Sequence, residues 1–326
     1  METMADLAWS HGSARVTATA AMLTELSLQV GGRTVHPLAR APWSPVDPGV
    51  AELPGHLRVL GGDFLALPFG SAEVPGDAPD PWRRAARPAN TPAHGDPADL
   101  AWRLESHGDA VTATLTLPPY RPVERVRRRI RGVEGRARVE IDVDILPRST
   151  HRTSLGLHPI LALPESGSAR IDVAFDIGRA WPGRLHARSR PVPDAVFSSL
   201  DAVPTPAGRA DLSIVPPPHP TEEVVQLVGA RSPFHLHRDD GVTVVVEWDD
   251  EFLPSLLLWL SDRALTQAPW SGAYRGLGVE PVASAFDFSE ATSLAANPLA
   301  TTGARTWIAL EAGTTMTTTY AIEALV

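Results

Sequence analysis

The chain has 326 residues, 43% of them hydrophobic, and a formal net charge of −9 at pH 7. That length and apolar share suffice for a large buried core, and the expectation is one all-β domain spanning residues 1–326. The acidic balance argues against a nucleic-acid partner, and the absence of cysteine excludes disulfides and thiolate metal sites. Every basic side chain is arginine, which carries no functional weight. The opening residues, Met1 to Asp6, lack the basic and apolar regions of a secretory signal. The longest apolar stretch, Phe252 to Leu260, contains Pro254 and is too short to span a bilayer. A cytoplasmic protein without a membrane partner is therefore expected.

Residues 14–28 alternate small and apolar side chains in a way that fits a short helix or a strand. Residues 70–99 are rich in Pro, Ala, Asp and Arg and read as a long loop. Strict two-residue alternation follows in Val111 to Leu117, in Arg138 to Ile145 and in Arg170 to Asp176, each a half-buried strand. A second Pro-rich loop occupies residues 191–220. Because alternating strands continue on both sides of each loop, these are ordered loops of one domain, the kind that line sites. Val242 to Trp248 is a continuous β-branched run, the pattern of a strand covered on both faces. One or two helical turns fit residues 289–296, and Thr314 to Ile322 reads as a last strand. Thirty-two prolines and 25 glycines punctuate these elements, which points to a sandwich or barrel.

Three segments have the composition of a site. In Gly276-Leu277-Gly278-Val279-Glu280-Pro281 a carboxylate sits between apolar neighbours, where it loses hydration and needs a partner or a task. Trp259, Trp270 and Tyr274 lie close in sequence and offer flat faces for the C–H side of a sugar ring. In Leu155-Gly156-Leu157-His158-Pro159-Ile160 one imidazole sits in an otherwise apolar strand. Such a group can pass a proton near neutrality, although a lone strand histidine is more often a core residue with a backbone partner. His94-Gly95 follows the first Pro-rich loop and, taken alone, is explained by turn chemistry.

Taken in order, these segments resemble the galactose mutarotase (aldose 1-epimerase) superfamily. Gly61 to Gly70 looks like its Gly-rich segment and Pro-Phe-Gly turn, and His94-Gly95 and His158-Pro159 like its two histidine motifs. Leu253 to Trp259 and Gly278 to Pro281 look like its Leu-Pro-x-Leu-x-x-Trp and Gly-x-Glu-Pro segments. The resemblance implies a large antiparallel β-supersandwich with few short helices. It implies an enzyme that interconverts the α and β anomers of an aldose with no cofactor and no metal. By position Glu280 resembles the family base, His158 the family acid, and His94 the second histidine that holds sugar oxygens. Asp63 and Arg103 are the candidates for the remaining acidic and basic sugar ligands. After the acid the family often has an aromatic and Asn pair; here Pro159-Ile160-Leu161 follows.

His235-Leu236-His237 places two imidazoles on one face of a strand, where both can meet one ion. Asp239 and Asp240 are near, but the spacing supplies no clear third ligand, so a polar strand-edge pair is the expected reading. Arg125 to Arg131 is basic enough to suggest nucleic acid, yet alternation spreads it over two faces and acids flank it, so an ion-paired strand face is expected. Besides the epimerase, the same residues fit a non-catalytic carbohydrate-binding protein, or a different sugar-modifying enzyme on the same fold.

Overall fold

The computed structural model describes residues 2–326. The two-residue alternation resolves into two large sheets whose paired strands run antiparallel. In spatial order the eleven-stranded sheet runs Met4–Trp9, Gly12–Thr17, Leu23–Val30, Asp63–Ala66, Leu155–Leu161, Arg275–Ala283, Ser255–Asp262, Thr221–Val228, Ile177–Ala180 and Val196–Phe197. Arg33–Val35 pairs with Leu23–Val30 off this path. The nine-stranded sheet runs Ile214–Val215, Ala169–Ala174, Arg231–Arg238, Thr243–Trp248, Met316–Leu325, Arg138–Pro147, Val123–Gly132, Ala110–Thr116 and Arg103–His107.

The main core lies between the sheets, with Leu157, Leu258 and Val279 from one facing Val126, Ile141 and Ile322 from the other. Successive side chains on a strand point to opposite faces, so every second residue of the eleven-stranded sheet looks away from this core. On that far side Phe64, Ile160, Leu257 and Val282 form a smaller apolar cluster with Trp82, Phe286 and Phe288 from the loops. The cavity described below is set into this second face.

Residues 14–28 form strands rather than a helix. Gly12–Thr17 and Leu23–Val30 pair, and Ala20 and Ala21 take positive φ values of 60° and 43° in the connection. Residues 289–296 hold one short helix, Glu290–Leu294, whose Ser289 cap accepts a hydrogen bond from the Thr292 amide. Each Pro-rich loop contains short ordered pieces. The first carries the helices Asp80–Ala85 and Gly95–Asp99, and the second carries the strand pair Val203–Thr205 and Gly208–Ala210.

The arginine run lies on Val123–Gly132, and two of its outward members pair with acids, Arg127 with Asp144 and Arg131 with Glu140. Arg128 points the other way and is fully buried between the sheets. Its guanidinium donates to the Asp63 carboxylate, to the Tyr320 hydroxyl and, at 2.8 Å, to the Ala21 carbonyl. Tyr320 in turn donates to Asp63 Oδ2 at 2.6 Å. A buried charge is tolerated when a partner and hydrogen bonds satisfy it, as here.

Candidate functional site

Four neighbouring strands of the eleven-stranded sheet build the floor of a cavity of about 440 Å³. Leu155–Leu161 and Arg275–Ala283 lie side by side with Gly156 opposite Val282 and Ile160 opposite Gly278. That register sets His158 across from Glu280, both on the face away from the main core. His158 Nε2 lies 3.5 Å from Glu280 Oε1. The next strand adds Trp259, and the one beyond it adds Glu222 and Val224, again from the same face. Trp259 Nε1 donates to Glu222 Oε1 at 2.5 Å, which fixes both side chains.

Loops supply the walls. His94 adopts a left-handed backbone at φ 57°, and its amide donates to the Gly70 carbonyl while its own carbonyl accepts from Leu67. The turn holds the imidazole edge-on to His158, with ring centroids 5.2 Å apart. His56 stands 5.1 Å from His94 in the same manner. Phe64 stacks on His158 at 4.3 Å and so fixes the plane of its ring. Asp287 approaches His94 Nδ1 to 3.8 Å and accepts a hydrogen bond from Ser71. Trp270 packs edge-on against Trp259, and Tyr274 stacks behind Trp259 at 5.7 Å.

Loss of water dominates the electrostatics. Burial pushes Glu280 well above the usual carboxylate range, and the nearby Asp287 adds to the shift. Burial pushes His158 well below the usual imidazole range, and repulsion from His94 and His56 adds to that. The ligand-free pair therefore holds its proton on Glu280 and leaves His158 neutral. Burial also pushes Asp287 and Glu222 up to about 7. It pushes His94 down to about 4 and His56 down to about 3. Around the cavity His56 Nδ1, His94 Nδ1, His158 Nδ1, Glu222 Oε2 and Asp287 Oδ1 are buried without a hydrogen-bond partner. Polar atoms of this kind, converging on an apolar pocket with indole faces, suit a ligand rich in hydroxyl groups.

Of the residues singled out from the sequence, Glu280, His158, His94, Trp259 and Trp270 line the one cavity. Tyr274 is buried in the layer behind Trp259 rather than in the lining. Two candidates are placed elsewhere. Asp63 precedes Phe64 on its strand, so it points to the opposite face and is committed to Arg128 and Tyr320 between the sheets. Arg103 lies on the edge strand of the other sheet, is largely exposed, and donates to Glu105 at 2.9 Å. Three titratable cavity residues were not singled out from the sequence: His56, Glu222 and Asp287. Glu222 left a partial signal, as one of two adjacent acids opening the Thr221–Val228 strand, at even spacing from Val224. His56 sits in the one-turn helix Gly55–Arg58 and Asp287 in a loop, and neither is long enough for a period to mark them. The first Pro-rich stretch contributes Ser71, Ala72, Ala93 and His94 to the walls, whereas residues 191–220 contribute none.

No protein-family model matches the sequence, and no curated protein does. Solved structures do match over nearly the whole chain. A Synechocystis sp. PCC 6803 protein superposes with a TM-score of 0.66 at 15% identity, covering 99% of this chain and 96% of its own. An aldose epimerase homologue from C. elegans gives a TM-score of 0.64 at 11% identity, covering 99% of both chains. A galactose mutarotase-like protein from Lactobacillus casei gives 0.61 at 15% identity, covering 99% and 100%. The likeness is one of fold: two antiparallel sheets arranged as in galactose mutarotase-like structures.

Proposed function

We propose that this chain, on its galactose mutarotase-like fold, is an aldose 1-epimerase-like enzyme. In this reading Glu280 and His158 exchange protons with the C1 hydroxyl and the ring oxygen of a bound aldose. The observation that carries it is the pairing of the two side chains, 3.5 Å apart on adjacent strands, at the floor of a cavity walled by indoles and unpartnered polar atoms. Ring opening needs a base at the C1 hydroxyl and an acid at the ring oxygen. Glu280 as carboxylate and His158 as imidazolium supply them. After opening, Glu280 holds the proton and His158 is neutral, and closure on the other face of the aldehyde reverses both transfers.

The ligand-free pair has the same proton count but the opposite distribution, with the proton on Glu280. A bound sugar stabilises the charge-separated form. Its hydroxyl donates to the Glu280 carboxylate, and its ring oxygen accepts from the imidazolium. His94, His56, Glu222 and Asp287 line the rest of the cavity and would hold the remaining hydroxyls.

The substrate class follows from charge. Carboxyl groups of Glu222, Glu280 and Asp287 face the cavity, and no arginine is among its lining residues. An aldose without a phosphate or carboxylate fits this lining, while an anionic sugar would lose its hydration there with no arginine to replace it. The volume lies within the ordinary range for small-molecule pockets, about 300–1,000 Å³.

Anomer exchange measured by NMR on a panel of aldohexoses, with a 6-phosphate for comparison, tests the proposal. The expected result is acceleration over buffer for a neutral sugar, removed by Glu280→Gln with sugar binding retained. His158→Asn should lower the rate by ~10²–10⁴-fold, the usual cost of an acid–base group. Sugar binding without acceleration on any aldose would make the chain a carbohydrate-binding protein instead.

A further inference from the structure

We propose that Asp172, His235 and His237 form a divalent transition-metal site on the outer face of the nine-stranded sheet. The site is independent of the sugar cavity. Alternation puts His235 and His237 on one face of Arg231–Arg238, with ring planes 6° apart and centroids 5.5 Å apart. The adjacent strand Ala169–Ala174 pairs so that Asp172 stands opposite His235. This cross-strand carboxylate is the third ligand that spacing along the sequence could not reveal.

One ligand atom from each residue lies within 4.8 Å of the others, and His237 Nε2 is 3.9 Å from Asp172 Oδ2. Metal–ligand bonds of about 2.0–2.2 Å place neighbouring ligand atoms about 3.3–3.6 Å apart in a tetrahedral set. Closing the set therefore takes a rotation of exposed side chains by roughly an ångström, with no movement of the strands.

Two further features favour the arrangement. His237 Nδ1 is hydrogen-bonded with Thr243 Oγ1 at 3.0 Å, from the strand on the other side. That bond holds the ring and leaves Nε2 as the nitrogen turned toward Asp172, the role an outer partner plays for a metal-bound histidine. In addition, the strand register shifts between Asp172 and Ala174. Such bulges re-aim side chains next to functional positions.

Two imidazoles and one carboxylate suit Zn²⁺, Ni²⁺ or Cu²⁺ rather than the all-oxygen shells of Mg²⁺ and Ca²⁺. Three protein ligands leave the remaining positions to water. The metal would join two neighbouring strands near one edge of their sheet, on the far side of the molecule's core from Glu280 and His158. Its expected effect is on stability, with anomer exchange unchanged.

The test uses the full chain, stripped with a chelator and titrated with Zn²⁺ and Cu²⁺ at pH 7.5 by calorimetry. One equivalent should bind, Cu²⁺ more tightly than Zn²⁺, with a rise in Tm and no response to Mg²⁺. The Cu²⁺ form should show hyperfine coupling to two imidazole nitrogens in its electron paramagnetic resonance spectrum. Asp172→Asn and His235→Gln should each weaken binding about tenfold or more, and Thr243→Val should weaken it less. These positions lie on the sheet surface, so the metal-free variants should melt like the parent. Two results would overturn the site: no saturable binding, or binding unchanged in His237→Gln.

Discussion

Gly278 and Glu280 share one face of their strand, and a Cβ added at Gly278 would fall 2.2 Å from Glu280 Oε1. The carboxyl group lies back over the bare glycine, which leaves it room to sit against His158. Gly278 thus acts on Glu280 through the space it leaves open. Gly278→Ala should displace the carboxyl, a flexible side-chain end, without breaking the strand. We expect a rate loss of ~10–10²-fold with little change in Tm, since misplacement by about an ångström has costs of this size. Steady-state kinetics beside a thermal melt checks it; an unchanged rate would mean the present position of Glu280 is unimportant.

The Glu280–His158 pair also sets a pH profile. His158 is lowered, so the form with two protons appears only well below the usual imidazole range. Glu280 is raised, so the form without a proton appears only well above the usual carboxylate range. The one-proton pair fills the interval between, and activity should show a broad plateau with limbs belonging to the pair as a whole. Asp287 contributes to the upward shift of Glu280. Asp287→Asn should therefore move the alkaline limb of kcat/KM to lower pH. A limb that stays in place or moves upward would contradict this coupling.

The buried histidines should take stability away on acidification, and the buried carboxyls should oppose that loss. His56 and His94 are held at about 3 and about 4, against an unfolded value of 6.5. Below pH 6.5 the unfolded chain gains protons that the folded chain refuses. The folded state is thus progressively disfavoured down to pH 3–4, by on the order of 3 kcal/mol for His94 and about 5 kcal/mol for His56 at most. His56→Leu should raise Tm relative to the parent by an amount that grows as the pH falls from 6.5 to 4. Asp287 and Glu222 act with the opposite sign, since their raised values disfavour folding as the pH climbs through about 7. Bound sugar should blunt both slopes.

Between the sheets, Arg128→Met should leave Asp63 buried and unpaired and cost about 3–5 kcal/mol in a denaturant titration. Adding Asp63→Leu should return part of that loss, because the double variant has no uncompensated charge. If Asp63 were a sugar ligand instead, Asp63→Leu in the Arg128→Met background would weaken sugar binding. We expect the affinity to stay unchanged.

The strands and their inward faces were legible because burial on one side writes a period of two into the chain. Arg138 to Ile145 and Val111 to Leu117 are such cases. Glu280 and His158 were legible because a polar residue breaks an apolar run. Asp63 looks equally anomalous, but anomaly alone does not say which face a residue takes. Its neighbour Phe64 reaches the cavity, so Asp63 cannot. Arg128 was lost in a run of arginines that all look solvated, although the period places it opposite Arg127. His56 and Asp287 depend on where a one-turn helix and a loop fold back, and cross-strand partners such as Asp172 depend on register; neither leaves a local signature.

The opposed faces of the eleven-stranded sheet separate two kinds of mutational freedom. Leu155, Leu157 and Leu161 anchor the molecule, while Gly156, His158 and Ile160 between them shape the cavity side. An engineer could redraw the ligand preference at Trp259, Val224 or Leu257 and leave every inter-sheet contact untouched. A single-residue deletion in the same strands would do the reverse, turning leucines into the cavity and sinking Glu280 among them. Deletions in pairs should be survived more often than single ones, a pattern readable in a deep insertion–deletion scan.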